Sequence, residues 1–116
     1  MAGTVPTGII TLMFTDIQDS TALWEWMGDR FRPVPDQHNQ FIRALVQRWQ
    51  GCEVKSQGDS FMIGFERGTD AVQCAVEIQR AMAAQAWPER LDELRVRLGI
   101  HAGEPFLGYD TAGRAD

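Results

Sequence analysis

The segment "CEVKSQGDSFMIGFE", residues 52–66, constrains the chain more than any other. It holds two β-favouring runs too short for helices, broken at Gln57 to Ser60 by Gly58 and Asp59, residues suited to a tight hairpin turn. Helical periodicity lies on both sides of it. Upstream, Phe41, Ala44, Leu45 and Trp49 mark one face of a helix from about Asp36 to Gln50, closed by Gly51. Downstream, "TDAVQCAVEIQRAMAAQAW" is amphipathic, with Thr69 as the expected cap and Trp87-Pro88 as its end. A lone hairpin is unstable in water, so it has to join a larger sheet and pack against those helices.

The remaining segments supply that sheet. "IITLMFTDI" reads as a buried strand, and "ELRVRLGIHAGE" alternates like a fourth. Between the first strand and the "RPVPD" break lies a helical stretch, "TALWEWMGDRF", which Asp19 or Ser20 can cap. The order strand, helix, helix, strand, strand, helix, strand predicts an α+β fold. Its expected form is a ferredoxin-like, split βαβ sheet with helices on one face. All of residues 1–116 belong to one domain in this reading, with 1–7 a flexible lead and 105–116 a loop. The topology carries the end of the first strand to the hairpin turn, and so Asp16 toward Asp59.

Bulk properties narrow the function. The net charge of −5 and the lack of a basic stripe exclude a general nucleic-acid binder, though not a nucleotide whose charge a metal offsets. No apolar run reaches the roughly 20 residues that span a bilayer, and the lead "MAGTVPTG" has no signal core, so a cytoplasmic location is expected. Cys52 and Cys74 lack metal-type spacing, and Cys74 reads as a buried, inert thiol.

Two carboxylates, one at a strand end and one in an adjacent turn, form a hard oxygen site for Mg²⁺ or Mn²⁺. The turn "QDSTA" leads into a helix N-terminus, where free amides favour an anion. Either aspartate by itself is equally an ordinary turn residue. Lys55 is a solvated edge lysine in the plain reading, and a group aimed at a base or a phosphate in the sharper one.

In order and spacing, "GIITLMFTDIQDSTALWE", "CEVKSQGDSFMIGFE" and "LRVRLGIHAGEP" resemble the catalytic domain of class III adenylate and guanylate cyclases, most closely the bacterial adenylate cyclase type. That resemblance implies two Mg²⁺ or Mn²⁺ ions per site, held by Asp16, Asp59 and the Ile17 carbonyl. It implies a triphosphate loop at Gln18, Asp19, Ser20 and Thr21, and a purine-selecting lysine at Lys55, which favours ATP over GTP. It further implies conversion of ATP to cyclic AMP and pyrophosphate by attack of the ribose 3′-oxygen on the α-phosphate, within a homodimer.

The family's loop often has glycine where Asp19 stands, and Asp19 is expected instead to cap the helix. Asp116 falls where the family has its second purine-selecting residue. The Asn and Arg that stabilise the family's transition state lie beyond it, as do a further helix and strands of the family's fold, so the fold is expected to be incomplete at the C-terminus and the fragment alone inactive and marginally stable or self-associating. The alternative is an inactive cyclase-like module that binds nucleotide or mediates dimerisation. His38 and His101 are read as structural, hydrogen-bonding histidines and Met13, Met62 and Met82 as core filler. The four tryptophans are read as packing residues, and Arg95 and Arg97 as facing solvent or a partner subunit.

Overall fold

The computed structural model describes residues 9–87 and 94–103. The expected lead at 1–7, the loop at 105–116 and Asp116 lie outside those residues. The described elements are β1 (Ile10–Ile17), α1 (Ser20–Met27), a 3-10 turn (Gly28–Phe31), α2 (Pro33–Arg48), β2 (Cys52–Gln57), β3 (Ser60–Phe65), α3 (Gly68–Ala84) and β4 (Val96–Gly103). The strands form one four-stranded sheet in the order β2-β3-β1-β4, every neighbouring pair antiparallel. This is the ferredoxin-like arrangement that the element order predicts.

Alternation along β1 divides the two faces of the sheet. Met13 and Ile17 point into the core with Phe61, Ile63 and Phe65 of β3 and Val96 of β4. Val34, Ile42 and Val46 of α2 and Ala71, Cys74, Ile78 and Met82 of α3 close over them from one side. Phe14, on the opposite face, is 45% exposed. Both cysteines are free and buried, and burial pushes the Cys74 thiol up to about 12.

Several local expectations are corrected. The buried stripe of α2 is Val34, His38, Ile42 and Val46, while Phe41, Leu45 and Trp49 pack at its margin. Pro33 and Pro35 open α2 instead of lying ahead of it, since the first turn of a helix has no use for their missing N–H groups. α3 begins at Gly68 without a side-chain cap, so Thr69 is not its cap, and the helix ends at Ala84 rather than Trp87. His101 is exposed, unlike the fully buried His38.

The end of α2 reverses the usual division of labour between a glycine and its neighbour. Gln50, not Gly51, takes the left-handed conformation, at φ 61°. The Gly51 amide donates to the Val46 carbonyl at 2.8 Å and the Gln50 amide to the Gln47 carbonyl at 3.2 Å, closing a Schellman motif. Gly51 is required for space: a Cβ there would lie 2.9 Å from Phe65 Cε2, 2.9 Å from Val46 Cγ1 and 3.0 Å from Ile63 Cγ2.

Gly51→Ala should therefore destabilise the chain by about 1–3 kcal/mol through overpacking. Gln50→Gly should stabilise it by about 1 kcal/mol by relieving the left-handed strain. Urea unfolding of both variants checks the pair. His38 supplies a pH test. Burial holds its imidazole below the ordinary value of 6.5, so the unfolded chain protonates first as the pH falls. Stability is then fully present above about pH 6.5 and declines below it until the folded form also protonates, at up to about 1.4 kcal/mol per pH unit. His38→Leu should flatten that decline relative to the wild type.

Candidate active site at the open face of the sheet

Asp16 is the penultimate residue of β1, and its side chain lies on the open face because Ile17, one residue on, points into the core. The β1–β4 register sets Asp16 directly opposite Arg97. The guanidinium binds it as a fork, Nε donating to Oδ1 at 2.7 Å and Nη2 to Oδ2 at 2.7 Å. This bond raises the Arg97 pKa above its ordinary value, with the charge of Asp16 adding to it. Arg97 is thus part of the site and does not simply face solvent or a partner.

The hairpin turn reaches the same place. Gly58, at φ 60°, takes the first loop position between Gln57 and Ser60, and Asp59 follows it. Asp59 Oδ1 accepts the Ile17 amide at 3.3 Å, so the turn is fastened to the end of β1. From the other side, Asn39 Nδ2 of α2 donates to the Gly58 carbonyl at 2.9 Å.

An open cavity of about 530 Å³ lies over this junction. Asp16, Ile17, Asp19, Ser20, Thr21, Glu25, Asp59 and Arg97 are among its lining residues. Four carboxylates meet one guanidinium there, at the N-terminal end of α1. Such a cavity favours a cation, or an anion that arrives with one. Among the described residues no group of three or more His, Cys, Asp or Glu forms a metal cage. A hard divalent cation held there would draw most of its shell from water and phosphate oxygens, as Mg²⁺ commonly does.

Two parts of the expected phosphate loop differ from expectation. The Gln18 amide donates to the Arg95 carbonyl at 2.8 Å, which engages it in the β1–β4 pairing, and Gln18 is not among the residues lining the cavity. Asp19 stands at the N-cap position of α1 with φ 59° and makes no side-chain capping bond. Side-chain capping needs an extended backbone there, and the left-handed conformation turns the carboxylate away from the helix amides.

Lys55 lies farther across the open face. β2 carries a bulge between Glu53 and Lys55, so Glu53 opposes Ile63 and Lys55 opposes Met62. Glu53 consequently meets Arg43 of α2 at 2.9 Å on the helix side, while Lys55 joins Phe14 and Met62 around a second cavity of about 260 Å³. A third, of about 410 Å³, lined by Phe14, Asp16, Ser60, Phe61 and Arg97, lies between the two. It shares Asp16, Ser60 and Arg97 with the first, and Phe14, Ser60 and Phe61 with the second. The three form one groove, carboxylate-rich at one end and bearing Lys55 at the other. Arg97, Glu25 and Phe14 escaped the sequence reading; alternation paired Arg95 with Arg97, and only the register with β1 selects Arg97.

Comparison with known proteins identifies the family and the fold. The sequence model described as Adenylate and Guanylate cyclase catalytic domain matches residues 4–115. Adenylate cyclase of Podospora anserina is 34% identical over 94% of the chain, and receptor-type adenylate cyclase GRESAG 4.3 of Trypanosoma brucei brucei is 35% identical over 94%. The chain spans only 6% and 12% of those two proteins. A solved adenylate cyclase from Trypanosoma brucei in its monomeric state superposes with a TM-score of 0.83 at 33% identity, over 96% of this chain and 63% of that one. A bacterial light-regulated adenylyl cyclase shares the fold, with a TM-score of 0.73 at 19% identity, over 82% of this chain and 53% of its own. The chain belongs to the adenylate and guanylate cyclase catalytic domain family.

Proposed function

We propose that this chain carries the metal- and phosphate-binding part of an adenylate cyclase site, in a protein that converts ATP to cyclic AMP and pyrophosphate. The observation that carries the reading is the continuous groove across the open face. It suits a nucleoside triphosphate, with phosphates at the Asp16, Asp59 and α1 end and the base at the Lys55 end. Adenylate cyclases among the relatives support ATP over GTP.

In this reading Asp16, Asp59 and the Ile17 carbonyl hold Mg²⁺ or Mn²⁺, two ions in the full site. When bound, the metal would neutralise phosphate charge and favour ionisation of the ribose 3′-oxygen. The rest falls to side chains and amides of this chain. Ser20 and Thr21 offer helix-terminal amides to the phosphates. Arg97, once released from Asp16, sits where a guanidinium can pair a phosphate oxygen. Lys55 selects the purine, and Asp116 is assigned to the same task by resemblance alone. Phe14, exposed beside the groove, supports closure of the site by a second copy of the chain.

One observation favours the rival reading of an inactive, nucleotide-binding or dimerisation module: both oxygens of Asp16 are already engaged by Arg97. Binding separates the nucleotide-binding readings, active or inactive, from a module that only dimerises. ATP should bind the chain in Mn²⁺ and at least tenfold more weakly in EDTA or in Asp59→Ala, as read by isothermal titration calorimetry. ATP affinity that ignores both Mn²⁺ and Asp59 would contradict the metal assignment. Lys55→Glu should reduce the preference for ATP over GTP by about tenfold, measured by competition between the two nucleotides. An unchanged preference would remove Lys55 from base selection.

A further inference from the structure

The metal-site reading has a support that lies outside the groove. His38 is fully buried in α2, its ring 5.6 Å from Phe41 and 6.2 Å from Phe61. Its Nδ1 lies 2.7 Å from Asn39 Oδ1. Asn39 Nδ2 donates to the Gly58 carbonyl at 2.9 Å, and a carbonyl can only accept. The amide orientation of Asn39 is therefore settled, with Oδ1 toward the imidazole. Oδ1 in turn can only accept, so His38 Nδ1 must carry the proton. Nε2 is then a bare acceptor, and it is buried with no hydrogen-bond partner among the described residues.

That last atom is informative. A buried polar atom without a partner costs about 1–3 kcal/mol, and an apolar side chain of similar size would fill the space without that cost. Core packing alone gives no reason for a histidine here. The Nδ1 side does give one: it orients Asn39 toward the turn that carries Asp59. Asp59 is thereby held from two directions, through Asn39 and Gly58 on one side and through the Ile17 amide, 3.3 Å from Oδ1, on the other.

We propose that His38 and Asn39 are positioning residues for Asp59, a hydrogen-bonded relay from the core that fixes the hairpin turn for metal binding. The inference rests on the assignment of Asp59 as a metal ligand. Neither side chain is called upon to touch the cation; each acts through the Gly58 carbonyl.

Mn²⁺ alone, titrated into the full chain and followed by the electron paramagnetic resonance of the free ion, is the probe. Thermal unfolding in EDTA runs in parallel. Asn39→Leu and His38→Leu should each weaken Mn²⁺ binding by about tenfold, the lower range for loss of an outer-shell partner. His38→Leu should at the same time leave the melting temperature unchanged or raise it, because the orphaned Nε2 is gone. A merely structural role would not move the two quantities in opposite senses. His38→Asn, which restores a donor to Asn39 Oδ1, should recover most of the affinity. Wild-type Mn²⁺ affinity in both leucine variants, with binding still lost in Asp59→Ala, would overturn the relay alone. Unchanged Mn²⁺ binding in Asp59→Ala would overturn the metal assignment and the relay with it.

Discussion

The position of β1 between β3 and β4 governs everything else in this domain. Paired on both edges, it has its register fixed twice: against β3 it sets Met13 opposite Ile63, and against β4 it sets Asp16 opposite Arg97. A slip of one residue would exchange the two faces, burying Asp16 and exposing Ile17. Hydrophobic burial of Met13 and Ile17 is thus what delivers the carboxylate to the groove. The site's chemistry is a by-product of core packing on the reverse side of the strand.

Around that strand, elements distant in sequence converge by backbone contacts more than by charge. The hairpin turn reaches β1 through the Ile17 amide, α2 reaches the turn through Asn39, and the Gln18 amide ties the strand end to β4. Four carboxylates gathered at one cavity repel one another, and Arg97 relieves part of that in the structure described. A divalent cation would relieve it more fully. Under the proposed metal assignment, Arg97 and a cation would be alternative partners for Asp16, so uptake of one would require movement of the other.

The fold was legible in the sequence because its signals were periodic. The Gly58-Asp59 turn and the flanking amphipathic helices limited the topology to a small set, and the meeting of Asp59 with the end of β1 followed from it. What escaped reading depended on backbone detail. The bulge at Val54 changes which side of β2 faces the groove, yet no residue there advertises it, since Val54 is itself a good strand former. Gly51 looked like a conformational glycine, but contacts with Phe65, Val46 and Ile63 decide its role, and no local pattern encodes them. Asp19 carried the right side chain for a cap in the wrong backbone conformation. Arg97 needed a cross-strand partner separated from it by most of the chain.

In the proposed site, Asp16 and Asp59 jointly hold a divalent cation against a nucleotide's phosphates. Anomalous diffraction at the manganese edge, from crystals of the chain grown with Mn²⁺ and a non-hydrolysable ATP analogue, tests it most directly. An anomalous peak is expected about 2.1 Å from a carboxylate oxygen of both aspartates, with the Arg97 fork withdrawn from Asp16. Nucleotide in the groove with the Arg97–Asp16 fork intact, and no manganese between the two aspartates, would contradict it.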